Sequence, residues 1–346
     1  MRTEQISGAG QVFSLLVLSQ SFWLLCSRPP LANGLLTAAA GAAAYGVVFF
    51  LAVLCRRAAA REKSLSKGSA AAGMLLAAGY FSVTAGQLLT ACRVLFYEAF
   101  SPFFLLAVLL AAVWAAAAAG QEPLGRAAFL LAGVFLLGVV LLIAGVLPQA
   151  TFLNLRMPER DSALLLREIL FILPQQIEPF LLLLLAPQTD RPHSPALLLW
   201  APVGFLLNAA LLLTAAPVLG HYGSLLPYPV MLLAKSAGLS GMVPVYCFLL
   251  ITAAFFRLSG LAAGALRLGK QAGIAQGAAL WAAAGLTLAG TITLHYTGWE
   301  PQRAYAVLGV MGLLWGLPVV PNGPILSCCS KIPMGNILPW KSMKIW

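Results

Sequence analysis

Charge is what this chain has least of. Of its 346 residues only 9% are Asp, Glu, Lys or Arg, and the acids number ten. A water-exposed globular protein carries about 25% charged residues, so a soluble fold is excluded. Histidine is scarcer still. His193, His221 and His295 stand isolated near the ends of apolar stretches, which excludes a zinc site. The six cysteines show no CxxC spacing and read as buried apolar thiols, with neither metal nor cofactor implied. GxxxxGK[ST], HExxH and GxSxG are all missing, as is any acid pair, so the chain is not expected to be an enzyme. Long polar sequence is missing too. The longest polar connection, 148–167, leaves no room for a soluble domain, and no short repeat is visible. The opening MRTEQISGAGQ lacks the layout of a signal peptide.

What remains is apolar sequence: 61% of the chain, in runs that do not alternate. Runs of about twenty residues predict membrane-spanning helices rather than a β-barrel. Ten spans are expected, near 10–27, 34–55, 70–96, 102–119, 125–147, 166–186, 196–218, 241–266, 274–294 and 303–320. The fold class is therefore an all-α polytopic membrane protein, with one transmembrane domain over 1–320. The stretch 219–240 is too interrupted to span and reads as a loop with a short surface helix. Residues 321–346, rich in Pro, Ser and Lys, read as a poorly ordered cytoplasmic tail.

The formal net charge of +11 is placed by topology rather than by nucleic acid. With the N-terminus inside, thirteen Lys and Arg fall on the inner side and seven on the outer, with Arg257 left within a span. The loop RRAAAREKSLSK decides the sense, and both termini are then cytoplasmic.

The sixth run, EILFILPQQIEPFLLLLLA, carries Pro174, Gln175, Gln176, Glu178 and Pro179 in its middle. Each proline removes a backbone donor, leaving carbonyls near 170 and 175 without helical partners. A carboxylate at membrane depth costs at least ~2.5 kcal/mol on insertion scales. The helix is expected to break there, as helices do at the binding sites of secondary transporters. Glu178 suits an ammonium group, a proton relay, or a brace across the break.

Ser19, Gln20 and Ser21 form a polar patch in the first span. They suit a ligand-lined turn or plain interhelical hydrogen bonding. Patches in spans one and six, five apart, match an inverted five-plus-five repeat with two broken helices. Tyr80, Thr84 and Gln87 share one face of the third span, facing a cavity or packed. The eighth span holds Tyr246, Thr252 and Arg257. Arg257 lies roughly 15 Å from the cytoplasmic end. It is placed to pair with Glu178, to stand where a coupling sodium would sit, or to snorkel.

Over about residues 5–320 the chain resembles the spore germination permease family, the B subunit of GerA-type germinant receptors, within the amino acid–polyamine–organocation superfamily. ISGAGQVFSLLVLSQSF followed by Pro29 and Pro30 is similar to the family's opening, and FLNLRMP to the loop before its sixth span. Glu178 and Pro187 keep the spacing of that span's acid and proline. Gln176 and Ile177 stand where the family has Phe-Gly. YPVMLLAKSAGLSG and FFRLSGLAAGALRLG resemble its later loop and eighth span, with Arg257 and Ser259 matching a frequent basic–Ser pair.

The resemblance implies a LeuT-like fold in the inner membrane of a bacterial endospore. It implies a small germinant, usually an amino acid, with a membrane A subunit and a lipoprotein C subunit as partners. A ligand between spans one, three, six and eight would touch Ser19, Gln20, Ser21, Tyr80, Thr84, Gln175, Gln176 and Tyr246, with Glu178 and Arg257 as gating or coupling elements. A proton- or sodium-coupled amino acid permease is the rival expectation, and a purely structural subunit the next.

Overall fold

The computed structural model describes residues 8–26, 34–59, 65–96, 101–151, 162–192, 194–220, 228–237, 242–298 and 300–316. Pro29, Pro30, the FLNLRMP loop, His193, His221 and the tail 321–346 lie outside the described residues.

Among the described residues the regular elements are all helical. Nine helical segments are long and apolar enough to cross a bilayer. They are Ala9–Cys26, Ala38–Arg57, Lys67–Leu95, Pro102–Ala119, Gln121–Gln149, Ser162–Gln188, Pro195–Leu219, Met242–Gln271 and Gln276–Thr297. Each coincides with an expected span to within several residues at its ends. The tenth segment is helical over Pro301–Gly316, and 317–320 fall outside the described residues. We number these ten helices in chain order. The interrupted stretch between the seventh and eighth contains one short helix, Pro229–Ser236. Its Pro229, Val230, Met231, Leu233 and Ala234 are buried against the second half of the first span and the fifth, seventh and eighth.

Burial sorts the spans into two rings. The first, third, sixth and eighth are 72–83% buried, whereas the fourth, fifth and ninth are 17–28% buried. Composition explains the division. The outer helices are apolar all round, and Phe104, Phe129, Leu130, Leu137 and Trp281 project from the bundle, as lipid requires. The inner four carry the buried polar residues Ser19, Gln20, Thr84, Glu178 and Arg257, which lipid would reject.

Close approach is supplied by glycines, since helices in a bilayer associate through packing rather than exclusion of water. On the seventh span, the amide of Gln20 lies against Gly204, where a Cβ would overlap it. The amide of Gln20 therefore fills the notch left by the missing side chain. The first span packs against the fifth, seventh and eighth, the second against the sixth and seventh, and the third against the fourth, eighth, ninth and tenth. The eighth span touches the fourth, fifth and ninth, and the tenth abuts the break in the sixth.

Candidate functional site

The sixth span breaks where its prolines require. Its first half runs Ser162–Ile172 and tightens into a 3-10 turn, Leu173–Gln175. Gln176 then leaves the helical region (φ −83°, ψ 84°), and the second half runs Glu178–Leu185. Pro179 sits in the first turn of that half, where no intrahelical donor is needed. An unbroken helix would have sent the N–H of residue 179 to the carbonyl of Gln175. Proline has no N–H, so this carbonyl takes other donors: the Ile177 N–H at 3.2 Å and Arg257 Nη2 at 2.5 Å. The second half is closed at its far end by Arg267, which donates to the Leu184 carbonyl, and by Gln121 Nε2, which donates to the Leu185 carbonyl at 3.2 Å. Cationic and amide donors at this terminus complement the helix dipole.

The first span is only nicked. Ala9–Gln20 and Phe22–Cys26 are separated by the single residue Ser21, whose backbone stays near helical values (φ −68°, ψ −16°). The expected pair of broken helices is therefore unequal. No proline or glycine lies between Ser19 and Leu25 to force an unwound turn. Ser21 instead bonds back to its own helix, its Oγ donating to the Val17 carbonyl at 3.3 Å.

At the nick and the break the two spans meet. Ser19 Oγ donates to Glu178 Oε1 at 2.7 Å, and Arg257 Nη1 lies 3.5 Å from the same oxygen. All three residues are without solvent exposure. The guanidinium also faces the rings of Phe22 and Tyr305, 5.2 and 5.7 Å from their centroids, a favourable cation–π arrangement when desolvated. Tyr305 is in turn fixed by the Thr84 hydroxyl at 2.9 Å. Arg257 therefore pairs with Glu178 rather than snorkelling. Glu178 Oε2, Arg257 Nε and Ser259 Oγ are buried without a hydrogen-bond partner among the described residues.

A second, neutral cluster lies on the other side of the same junction. Tyr45 of the second span accepts at its hydroxyl from Trp23 Nε1 at 3.1 Å and from Asn208 Nδ2 at 2.8 Å. Gln176 lies beside that hydroxyl without a well-aligned bond to it. Gln20 rests in the Gly204 notch, one turn along the seventh span from Asn208. Tyr45, Trp23, Asn208 and Tyr305 were not candidates on sequence grounds. In helices that are apolar all round, composition does not show which way one polar residue faces. The one available signal was a lone tyrosine in the alanine-rich GAAAYG.

The remaining candidates fall around these clusters. The Gln175 side chain donates to the Phe171 carbonyl at 3.1 Å, and its backbone oxygen meets Arg257. Tyr80 packs with Phe180 and Tyr305, centroids 5.3 and 6.4 Å apart. Gln87 Nε2 donates to the Cys26 carbonyl at 3.1 Å, and Tyr246 donates to the Leu25 carbonyl at 2.7 Å. Gln87 and Tyr246 thus tie the third and eighth spans to the end of the first. The 72%-or-more burial of the four inner spans leaves the junction enclosed in this conformation. Among the described residues no group of three His, Cys, Asp or Glu is placed to hold a metal.

The arrangement can hold a fixed charge pair, accept a proton or an ammonium group at Glu178 Oε2, and hydrogen-bond a small polar molecule through side-chain amides. Comparison with protein-family models and with curated proteins finds no match.

Proposed function

We propose that this protein is the ligand-recognising membrane subunit of a germinant receptor of the spore germination permease type. It would bind a small amino acid where the first and sixth spans meet and act through partner A and lipoprotein C subunits. On this reading it lies in the inner membrane of an endospore with both termini on the core side. One observation carries the reading. Buried polar atoms of Gln20, Gln176, Glu178 and Arg257, on the spans that meet at a proline-made helix break, lack hydrogen-bond partners among the described residues. Each such atom costs about 1–3 kcal/mol unless something binds it.

The neighbour pattern supports a LeuT-like five-plus-five repeat. Exchanging each span with the one five places on maps first–fifth onto sixth–tenth, second–sixth onto seventh–first, and third–fourth onto eighth–ninth. It also maps third–ninth onto eighth–fourth and third–tenth onto eighth–fifth, and all of these pairs are in contact. The first–eighth, fourth–fifth and fifth–seventh contacts have no counterpart of similar extent.

Arg257 favours recognition over sodium-coupled uptake. A carboxylate, a hydroxyl and a freed carbonyl form the hard-oxygen set that a coupling sodium needs. Here the guanidinium already occupies Glu178 and the Gln175 carbonyl. A tethered cation cannot be released on the far side. The rival reading, a proton-coupled permease, draws on Glu178 Oε2, which has room for a proton.

Two assays separate the readings. With protein in nanodiscs, amino acid binding is expected to be unchanged when sodium is replaced by potassium at constant ionic strength. In proteoliposomes, the bound amino acid is expected not to accumulate under a sodium or proton gradient. Gradient-driven accumulation would establish the permease instead.

A further inference from the structure

The neutral cluster has a donor and acceptor pattern that selects a ligand chemistry. Gln20, Gln176 and Asn208 are at most 7% exposed. Five of their amide atoms lack partners among the described residues: both polar atoms of Gln20, both of Gln176, and Oδ1 of Asn208. The hydroxyl of Tyr45 accepts from Trp23 and Asn208, which leaves it one proton to donate, and Gln176 lies beside it. The set therefore offers donors and acceptors together.

Among the described residues no charged side chain hydrogen-bonds to this cluster. Glu178 and Arg257 are engaged with each other on the Ser19 side of the junction. Neighbouring positions divide the work: Ser19 and Glu178 meet in the charged cluster, while Gln20 and Gln176 belong to the neutral one. One small molecule at the break would reach both.

Side-chain chemistry narrows the match. A carboxylate side chain would leave donors satisfied but face the amide oxygens with like polarity. An ammonium group would do the reverse. An apolar side chain would leave all five atoms unpaired, the costliest of the three outcomes. A primary carboxamide presents an N–H edge and a C=O edge side by side, and side-chain amides pair with both edges.

We infer that this cluster is the side-chain pocket of the ligand and that it takes a primary carboxamide, making the ligand an amino acid of the asparagine or glutamine type. The inference rests on the receptor reading above for its α-amino and α-carboxylate contacts. Sites built to hydrogen-bond a group reject analogues without it by as much as ~10⁴-fold.

The test is equilibrium binding to the full chain in nanodiscs, using L-asparagine, L-glutamine, L-aspartate, L-glutamate, L-alanine and L-valine. One of the two amides is expected to bind at least ~100-fold more tightly than its acid and than alanine, a modest share of that limit. Gln176→Leu is expected to shrink the gap to within ~10-fold, the scale of losing one well-made hydrogen bond. Asn208→Ala serves as the second variant should Gln176→Leu not fold. Alanine or valine binding as tightly as the amides would overturn the carboxamide assignment and leave the receptor reading standing. The same holds for discrimination that persists in both variants, which would mean that the cluster holds only water. Binding of none of the six would overturn both.

Discussion

Glu178→Gln is expected to destabilise the protein more than Arg257→Met, although the two residues form one ion pair. The reason is that their charges respond differently to losing a partner. Glu178→Gln leaves a guanidinium enclosed within the bundle, and a guanidinium does not release its proton. Breaking a buried pair in this way costs about 3–5 kcal/mol. The Gln175 carbonyl and the rings of Phe22 and Tyr305 still hold Arg257, but none of them carries a countercharge. Arg257→Met leaves a carboxyl group instead. That group can take up a proton and keep its hydrogen bond to Ser19, and methionine refills the space between the two rings. Its cost falls in the range of an unsatisfied polar group, about 1–3 kcal/mol. The double variant Glu178→Gln/Arg257→Met should lie within about 1–2 kcal/mol of wild type, because replacing a whole buried pair is often close to neutral. Thermal unfolding of all four proteins in one detergent gives the order. Losses that add in the double variant would show that the two side chains do not act as a unit.

Gly204→Ala is expected to abolish amino acid binding from a position that carries no polar group. The new methyl would overlap the amide of Gln20. Gln20 is fully buried, so it must leave the notch or push the seventh span outward. Overpacking of this kind costs about 1–3 kcal/mol, against at most ~1 kcal/mol gained by alanine over glycine in a helix. The net effect on stability is a modest loss, while the effect on the site is large. Adding Gln20→Ala should restore stability, since one methyl then occupies the notch. It should not restore binding, because the amide is gone. Wild-type affinity in Gly204→Ala would remove Gln20 from the site.

The bundle was largely legible in the sequence because bilayer thickness fixes the length of an apolar helix. Ten spans were expected on that ground, and nine of the described helices reach spanning length. The break in the sixth followed from proline chemistry: once residue 179 is proline, the Gln175 carbonyl must find another donor. The partnership of Arg257 with Glu178 was one of three readings left open, and packing chose among them. Two things were hidden. The polar run Ser19–Ser21 suggested an unwound turn, yet serine can bond back to its own helix, and without glycine or proline the first span bends by one residue only. The neutral cluster was hidden more deeply. Tyr45 and Asn208 are single polar residues on helices with no amphipathic period, so their facing depends on tertiary packing.

The central claim is that the first and sixth spans meet at a ligand site rather than at a structural joint. The double variant Glu178→Gln/Arg257→Met tests it most directly, because its fold is expected to survive while its charges do not. The measurement is equilibrium binding of labelled L-asparagine and L-glutamine to this variant and to wild type in nanodiscs. The account predicts saturable binding to wild type and a loss of at least ~100-fold, about 2.7 kcal/mol, in a variant of near-normal melting temperature. Binding to the folded double variant with unchanged affinity would contradict it.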